Sequence, residues 1–283
     1  MTALEMRRTR LSLADEGFLD VGGARLEYRM IGPRPNAAPT IVMLHEGLGS
    51  AALWGDFPER LAERTKAGVF AYSRAGYGRS SPVPLPRPLD YMQREATETL
   101  PRLLDAIGFR RGILLGHSDG ASIAAAYAGS VQDHRVRGLA LMAPHFFVEE
   151  FSLREIDRAR ERYEKGDLRQ RLARHHADID VAFRGWNDAW LDPDFPKVFD
   201  IVEPLAYIRV PVLIVQGEDD PYGTVRQVEV AEEECYCPVD AVLLPGCGHA
   251  PHRDRPAETL ETVGGFIERI LVLHGEAHME RAA

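Results

Sequence analysis

The stretch GILLGHSDGASIAAAYA at residues 112–128 passes from an apolar run through a short glycine-flanked segment into an alanine-rich run. This pattern predicts a strand, a sharp turn and a helix, with Ser118 at the tip of the turn. Gly116 and Gly120 suit such a turn, because side chains two positions from its centre would collide with the neighbouring strand and helix. The stretch therefore predicts an exposed serine hydroxyl beside the N–H groups that begin the helix.

A nucleophilic serine needs a base to take its proton and an acid to orient that base. Two later segments, PVLIVQGEDD at 211–220 and AVLLPGCGH at 241–249, supply such groups after apolar strand patterns. The first ends in the adjacent carboxylates Asp219 and Asp220, and the second ends in His249. Open α/β sheets place their sites at the C-terminal ends of strands, where both loops lie. Only one carboxylate can orient the imidazole, and the other would cap the following helix.

Attack on a carbonyl also needs N–H donors for the oxyanion that forms. One expected donor is the backbone N–H of Asp119, directly after the serine. The second donor should come from a loop after an earlier strand, and the stretch TIVMLHEGLGS at 40–50 supplies both.

Taken together, these segments resemble the α/β-hydrolase superfamily over nearly the whole chain. The matching stretches are HEGLGS from residue 45, SRAGYGRS from 73, GHSDG from 116, QGEDD from 216 and GCGHAPH from 246. The resemblance implies that Ser118 is the nucleophile, His249 the base and Asp220 rather than Asp219 the acid. It also implies that Gly47 supplies the second oxyanion donor.

Apolar strand patterns alternate with helical stretches along the rest of the chain. This alternation predicts the α/β class: a mostly parallel, twisted sheet with helices on both faces, as in the α/β-hydrolase fold. From 146 to 204 the chain is charged and helical in pattern, without β-rich runs. Many α/β-hydrolases insert a helical cap at this point. We therefore expect a core of residues 1–145 and 205–283 and a cap of residues 146–204.

Glu46 stands where the superfamily usually has glycine, beside the oxyanion loop. Its carboxylate could lie in the pocket and discourage anionic substrates, could relay protons, or could turn away and pair with a nearby donor. The substrate contacts we expect are Glu46, Leu48 and two aromatic residues of the cap segment, Phe146 and Trp186.

The formal net charge of −9 over 283 residues, without a basic stripe, argues against nucleic acid or an anionic membrane as partner. Residues 1–16 lack the apolar core of a signal peptide, and no apolar run approaches the roughly 20 residues that cross a bilayer. We therefore expect a cytoplasmic protein that acts on a small-molecule substrate. A homodimer is one alternative for its oligomeric state.

The expected chemistry needs no metal or organic cofactor. The neighbouring His175 and His176 should point to different faces of a helix, without a carboxylate partner, so we predict that they are surface residues. Cys247 lies close to His249 in sequence, but Ser118 occupies the turn, which disfavours a thiol nucleophile.

The leading hypothesis is hydrolysis of a carboxylic ester or related acyl bond of a small, largely apolar substrate through an acyl-enzyme. One alternative is a C–C bond hydrolase of a ring-cleavage product (a dienol or diketone), which would need positive pocket groups for substrate carboxylates. Another is a slow-turnover ligand-sensing protein on the same fold.

Overall fold

A computed structural model of the protein describes residues 13–280. Residues 1–12 and 281–283 of the predicted core, and with them most of the segment that was compared with a signal peptide, lie outside the described residues. Within the range 13–280, no helix is both long and apolar enough to cross a membrane.

The described residues form an eight-stranded sheet with the strand order β1-β2-β4-β3-β5-β6-β7-β8. Its strands are β1 (Glu16–Val21), β2 (Ala24–Ile31), β3 (Thr40–Leu44), β4 (Gly68–Tyr72), β5 (Gly112–His117), β6 (Val136–Met142), β7 (Val212–Gly217) and β8 (Val239–Leu244). Strand β2 is antiparallel to both β1 and β4, and every other neighbouring pair is parallel. The predicted α/β-hydrolase fold is therefore confirmed.

Helices lie between the strands and after the last one. They are α1 (Phe57–Thr65), α2 (Tyr91–Arg94), α3 (Leu100–Ala106), α4 (Asp119–Ser130), α5 (Glu150–Lys165), α6 (Leu168–Leu172), α7 (Ile179–Trp190), α8 (Phe195–Val198), α9 (Val202–Leu205), α10 (Arg226–Glu234), α11 (Pro251–Asp254) and α12 (Pro256–Glu280). A 3-10 turn at Ala51–Trp54 and a π-helical turn at Glu95–Thr99 complete the set in the described range.

The central strands are apolar along their whole length because helices cover both faces of the sheet. Side chains alternate between the two faces of a strand. In β3, Ile41 and Met43 pack in the cluster formed with α1 and α12, whereas Val42 and Leu44 pack on the opposite face with α3 and α4. The sheet is thus a rigid platform for the loops at its C-terminal edge.

The segment between β6 and β7 contains the five helices α5 to α9. A bridge between Phe147 and Asp200 joins its two ends, and the Ile201 N–H donates to the Phe146 carbonyl at 2.8 Å. Apolar residues of α5 and α7 continue the core cluster on the α4 side of the sheet. The cap boundaries at 146 and 204 stay a prediction.

The turn between β5 and α4 requires the close approach of two glycines to backbone. A Cβ on Gly116 would lie 2.3 Å from the Gly120 carbonyl oxygen, and one on Gly120 would lie 2.0 Å from the Leu44 carbonyl oxygen. Helix α4 therefore begins against the end of β3 as well as β5. This contact brings the start of α4 beside the loop that follows β3.

We predict that Gly120→Ala destabilises the protein, because the added methyl group overlaps the backbone of β3. The expected loss in the free energy of unfolding is at the upper end of about 1–3 kcal/mol. Urea unfolding would measure it. Gly265→Ala in α12 is the control, since a Cβ there meets nothing within 4 Å. That variant should be unchanged or gain about 0.5–1 kcal/mol; equal stability of the two variants would contradict the prediction.

Candidate active site

Ser118 sits at the tip of the turn between β5 and α4 in a strained conformation. Its φ of 52° and ψ of −120° are angles that residues with side chains rarely adopt. The Ser118 N–H donates to the Met142 carbonyl at 2.9 Å, which ties the turn to the neighbouring strand β6. The side chain lines a cavity at the C-terminal edge of the sheet. Backbone strain of this kind is typical of functional positions.

His249 and Asp220 meet at the same edge, from the loops after β8 and β7. The Nδ1 of His249 lies 2.9 and 2.8 Å from the two carboxylate oxygens of Asp220. The same carboxylate accepts from the Tyr222 N–H at 2.8 Å and from the Gln216 side-chain amide at 2.8 Å. Asp219, the other carboxylate that the sequence offered, is exposed. The structure thus brings Asp220 to His249.

These contacts lower the pKa of Asp220 and raise the pKa of His249. Burial alone would raise the pKa of Asp220, but the neighbouring His249 and the Tyr222 N–H hold that pKa at about 2. Burial alone would lower the pKa of His249, but the Asp220 carboxylate raises it above its ordinary value. The arrangement stabilises an imidazolium at His249 against an ionised carboxylate.

Ser118 and His249 line one cavity, and in the part of the chain that the structure describes no hydrogen bond joins their side chains. Hydrogen bonds of this kind in ligand-free sites often form only when substrate is bound. The imidazole of His249 packs against Tyr222, with ring centroids 4.8 Å apart, and against His145 at 5.7 Å.

Two buried residues hold the loop after β3. The Arg74 N–H donates to His45 Nε2 at 3.0 Å, so His45 carries its proton on Nδ1, which donates to the Glu46 carbonyl at 2.7 Å. The Arg74 guanidinium donates to the carbonyls of His45 at 2.6 Å and Glu46 at 3.1 Å. Burial and the nearby Arg74 hold the pKa of His45 well below its ordinary value. The loop is therefore held by a neutral imidazole and a cation.

The two expected oxyanion donors are the backbone N–H groups of Gly47, in the loop after β3, and of Asp119, the first residue of α4. Among the described residues, the N–H groups of Gly47 and Asp119 have no backbone acceptor. A Cβ on Gly47 would lie 2.2 Å from Trp186 Nε1, so only glycine fits beneath the indole of α7. The Asp119 carboxylate is fully buried, accepts from the Tyr91 hydroxyl and lies 3.7 Å from Arg74 Nη2.

The cavity at Ser118 has a volume of about 110 Å³. Its lining residues are Glu46, Gly47, Leu48, Ser118, Asp119, His145, Ile156, Trp186, Trp190, Tyr222 and His249. Three of the four predicted substrate contacts, Glu46, Leu48 and Trp186, are therefore at the cavity.

Phe146 was predicted to contact the substrate, and the structure places it elsewhere. Its side chain is fully buried in the core cluster and does not line the cavity. Its backbone N–H donates to the Gln227 side chain at 2.7 Å, which fixes it against α10 instead. The adjacent His145 occupies the cavity wall.

Sequence reasoning did not select His145, Ile156, Trp190 or Tyr222 as substrate contacts. His145 follows β6 at the edge that carries the other site loops, and Tyr222 follows Asp220 by two residues, so position relative to strand ends could have indicated both. Burial and the nearby His249 lower the pKa of His145 to about 3, which keeps its imidazole neutral.

His176 is not the surface residue that the sequence predicted. Its side chain is buried, with Nδ1 accepting from the Gly78 N–H at 3.0 Å and Nε2 donating to the Leu48 carbonyl at 3.0 Å. This imidazole joins the segment between α6 and α7 to two loops of the sheet. Burial lowers its pKa, because removal from water disfavours the charged form of the ring.

Cys247 lies away from the cavity, buried in the core cluster of the α1 and α12 face. Burial raises the pKa of its thiol to about 11. Within the described residues, no group of three or more His, Cys, Asp or Glu side chains could hold a metal ion.

Comparison with known proteins gives consistent matches. The sequence model of the "Alpha/beta hydrolase family" matches residues 41–262. A proline iminopeptidase of Lactobacillus helveticus is 24% identical over 297 residues, covering 90% of this chain and 98% of that protein. Among solved structures, a hydrolase from Pseudomonas aeruginosa PA01 has a TM-score of 0.70 at 20% identity, covering 89% of this chain and 98% of its own. The esterase RhEst1 from Rhodococcus sp. ECU1013 has a TM-score of 0.69 at 21% identity, covering 91% and 100%.

We predict that His176→Ala lowers stability at pH 7 by about 1–3 kcal/mol, because two buried backbone groups lose their partner. The folded state lowers the pKa of His176 from 6.5. The contribution of the neutral ring to the free energy of unfolding is therefore present above pH 6.5 and is lost as the pH falls below 6.5. The variant should therefore lose less stability than the wild type between pH 7 and pH 5.

Urea unfolding at both pH values would measure this difference. His175→Ala is the matched control, because His175 is the half-buried neighbour. It should keep the wild-type dependence on pH. An equal decline in all three proteins would show that His176 makes no such contribution.

Proposed function

The chain belongs to the alpha/beta hydrolase family, and from that premise we propose that it is a serine hydrolase of a carboxylic ester or related acyl bond. The substrate is small and largely apolar, and the reaction passes through an acyl-enzyme. The observation that carries the proposal is the contact of both Asp220 carboxylate oxygens with His249, which lines the same cavity as the strained Ser118.

In the proposed mechanism, Ser118 Oγ attacks the carbonyl carbon while His249 Nε2 takes the hydroxyl proton. Asp220 holds the imidazole through Nδ1 and stabilises the imidazolium. The N–H groups of Gly47 and Asp119 donate to the oxyanion, each contributing about 3–4 kcal/mol to lowering the barrier. The tetrahedral intermediate collapses, the leaving group departs with the proton from His249, and water then cleaves the acyl-enzyme by the same steps.

The cavity supports a small acyl group. Its volume of about 110 Å³ is well below the roughly 300–1,000 Å³ of pockets for drug-sized ligands. The apolar part of the cavity wall is formed by Leu48 and Ile156 together with the rings of Trp186, Trp190 and Tyr222. We propose that short acyl chains fit best.

The charge of the cavity favours neutral over anionic substrates. Although burial alone would raise the pKa of Glu46, the neighbouring His117 and Arg253 hold it well below its ordinary value, so a carboxylate faces the cavity. Among the residues that the structure describes, no lysine or arginine lines the cavity. This arrangement counts against the C–C bond hydrolase, because its dienol-type substrates carry carboxylates that need positive partners.

A second candidate function is removal of an N-terminal residue from a peptide. The Lactobacillus helveticus relative is named a proline iminopeptidase, and the ionised Glu46 at the cavity would suit a protonated amine beside the scissile carbonyl. A slow-turnover sensing role would instead show tight, saturable ligand binding with a very low turnover number.

The test is steady-state hydrolysis of para-nitrophenyl esters of rising acyl length, beside the succinate half-ester and proline para-nitroanilide. We expect turnover of the short neutral esters with a clear length optimum, slow reaction of the anionic half-ester, and loss of activity in Ser118→Ala. Absence of turnover on every ester would contradict the esterase proposal, and turnover of the anilide alone would favour the aminopeptidase.

The acid of the triad is tested with the two adjacent carboxylates as a matched pair. Asp220→Asn should lower kcat by about 10⁴-fold, because the amide no longer stabilises the correct form of the imidazole. Asp219→Asn, an exposed position, should stay near the wild-type rate. The reverse result would assign the role to Asp219.

A further inference from the structure

A second acidic side chain and a second imidazole stand directly beside the triad. Glu46 follows β3 and His117 ends β5, and these parallel neighbours pair Leu44 with Gly116 at their C-terminal ends. The register places Glu46 Oε2 3.6 Å from His117 Nδ1. Neither residue takes part in the proton transfers proposed above, although Glu46 also lines the cavity.

His117 also contacts the backbone of His249. Its Nε2 lies 2.6 Å from the His249 carbonyl oxygen, which can only accept, so Nε2 carries a proton. Its Nδ1 faces the Glu46 carboxylate, which also only accepts when ionised. At 3.6 Å the Nδ1–carboxylate contact has the length of an ion pair rather than of a hydrogen bond, and among the described residues Nδ1 has no hydrogen-bond partner.

The surroundings enclose the His117 ring and leave room for the Glu46 carboxylate. The His117 side chain is only 2% exposed, enclosed by the rings of His249, His252 and Trp54. Gly49 leaves room for the carboxylate, since a Cβ there would lie 2.3 Å from Glu46 Oε2.

The other charged and titratable groups near the pair come from helix α11 and from the loops after β6 and β7. Arg253 on α11 lies 3.7 Å from Glu46 Oε1, so the second oxygen of the carboxylate also faces a cation. Burial and the nearby His117 lower the pKa of His252 to about 3, and His145 is likewise held neutral. Asp220 is occupied by His249. Glu46 is therefore the anion available to His117.

We propose that Glu46 and His117 form a second acid–imidazole pair that positions the proposed base His249 through its backbone. The Glu46 carboxylate holds His117 as an imidazolium, and His117 Nε2–H holds the His249 carbonyl. The imidazole of His249 is then fixed from two directions, by Asp220 at its side chain and by His117 at its main chain. This inference rests on the proposed function, and both residues act as positioning residues.

The protonation of His117 can be tested without any substrate. In uniformly ¹⁵N-labelled protein at pH 7.5, long-range ¹H–¹⁵N spectra of the histidine rings should show both His117 nitrogens protonated, with the signals assigned by their loss in His117→Phe. In Glu46→Gln, only Nε2 should keep its proton. A singly protonated His117 in the wild type would overturn the proposal.

Kinetics test the positioning role. Glu46→Gln should lower kcat on the best neutral ester by about 10–100-fold, as is typical of groups that orient a catalytic residue, with KM changed less than twofold. If the two residues act as one unit, the double variant Glu46→Gln, His117→Phe should lose no more than His117→Phe alone. The exposed Glu218→Gln, in the loop that carries Asp220, is the control and should stay near the wild-type rate.

The remaining outcomes separate this inference from the function on which it rests. Wild-type kcat in Glu46→Gln, with Ser118→Ala inactive, would overturn the positioning role alone. A raised KM for proline para-nitroanilide with unchanged kcat would show that Glu46 binds a substrate amine, and would also overturn it. Activity retained in Ser118→Ala would overturn the proposed function, whereas the ring spectra would still decide the state of His117. If His117→Phe does not fold, the kcat of Glu46→Gln on the neutral ester decides the matter.

Discussion

The site depends on one steric constraint, the contact of helix α4 with the ends of two parallel strands. Because Gly120 lies against the Leu44 carbonyl, α4 begins where β3 ends, and the turn at Ser118 is forced to a positive φ. The same contact sets the first N–H groups of α4 beside the loop after β3. A single close approach of backbone to backbone thus determines both where the serine hydroxyl lies and which N–H groups lie beside it.

Near the start of α4, buried charged side chains have partners of opposite charge or hydrogen-bond partners, which avoids the free-energy cost of an unpaired charge in the protein interior. Arg74 lies between the carbonyls of the loop after β3 and the Asp119 carboxylate, and Tyr91 donates to the same carboxylate. Trp190 donates to the Tyr91 hydroxyl at 3.1 Å, which extends the network into α7. The residues that shape the cavity and those that fix the loop after β3 are therefore parts of one polar network.

The sequence was sufficient to predict the sheet and to bring together Ser118, His249 and Asp220, because each follows an apolar strand whose C-terminal end must lie at one edge. The sequence was insufficient to predict in which direction an individual side chain points. Phe146 and His145 are adjacent after β6, and only the local turn, with Ala143 at a φ of 47°, determines that His145 rather than Phe146 faces the cavity. His176 was misplaced because its partners, Gly78 and Leu48, are about a hundred residues away, and no local pattern reports such contacts.

The most direct test of the central claim is the site of covalent modification by a fluorophosphonate, followed by peptide mapping with mass spectrometry. An activated serine forms a P–O bond while fluoride leaves, so the reaction marks the nucleophile itself. The account predicts a single adduct, on Ser118, that forms much more slowly in His249→Ala. An adduct on any other residue, or none while esters are still hydrolysed, would contradict the claim that this turn presents the nucleophile.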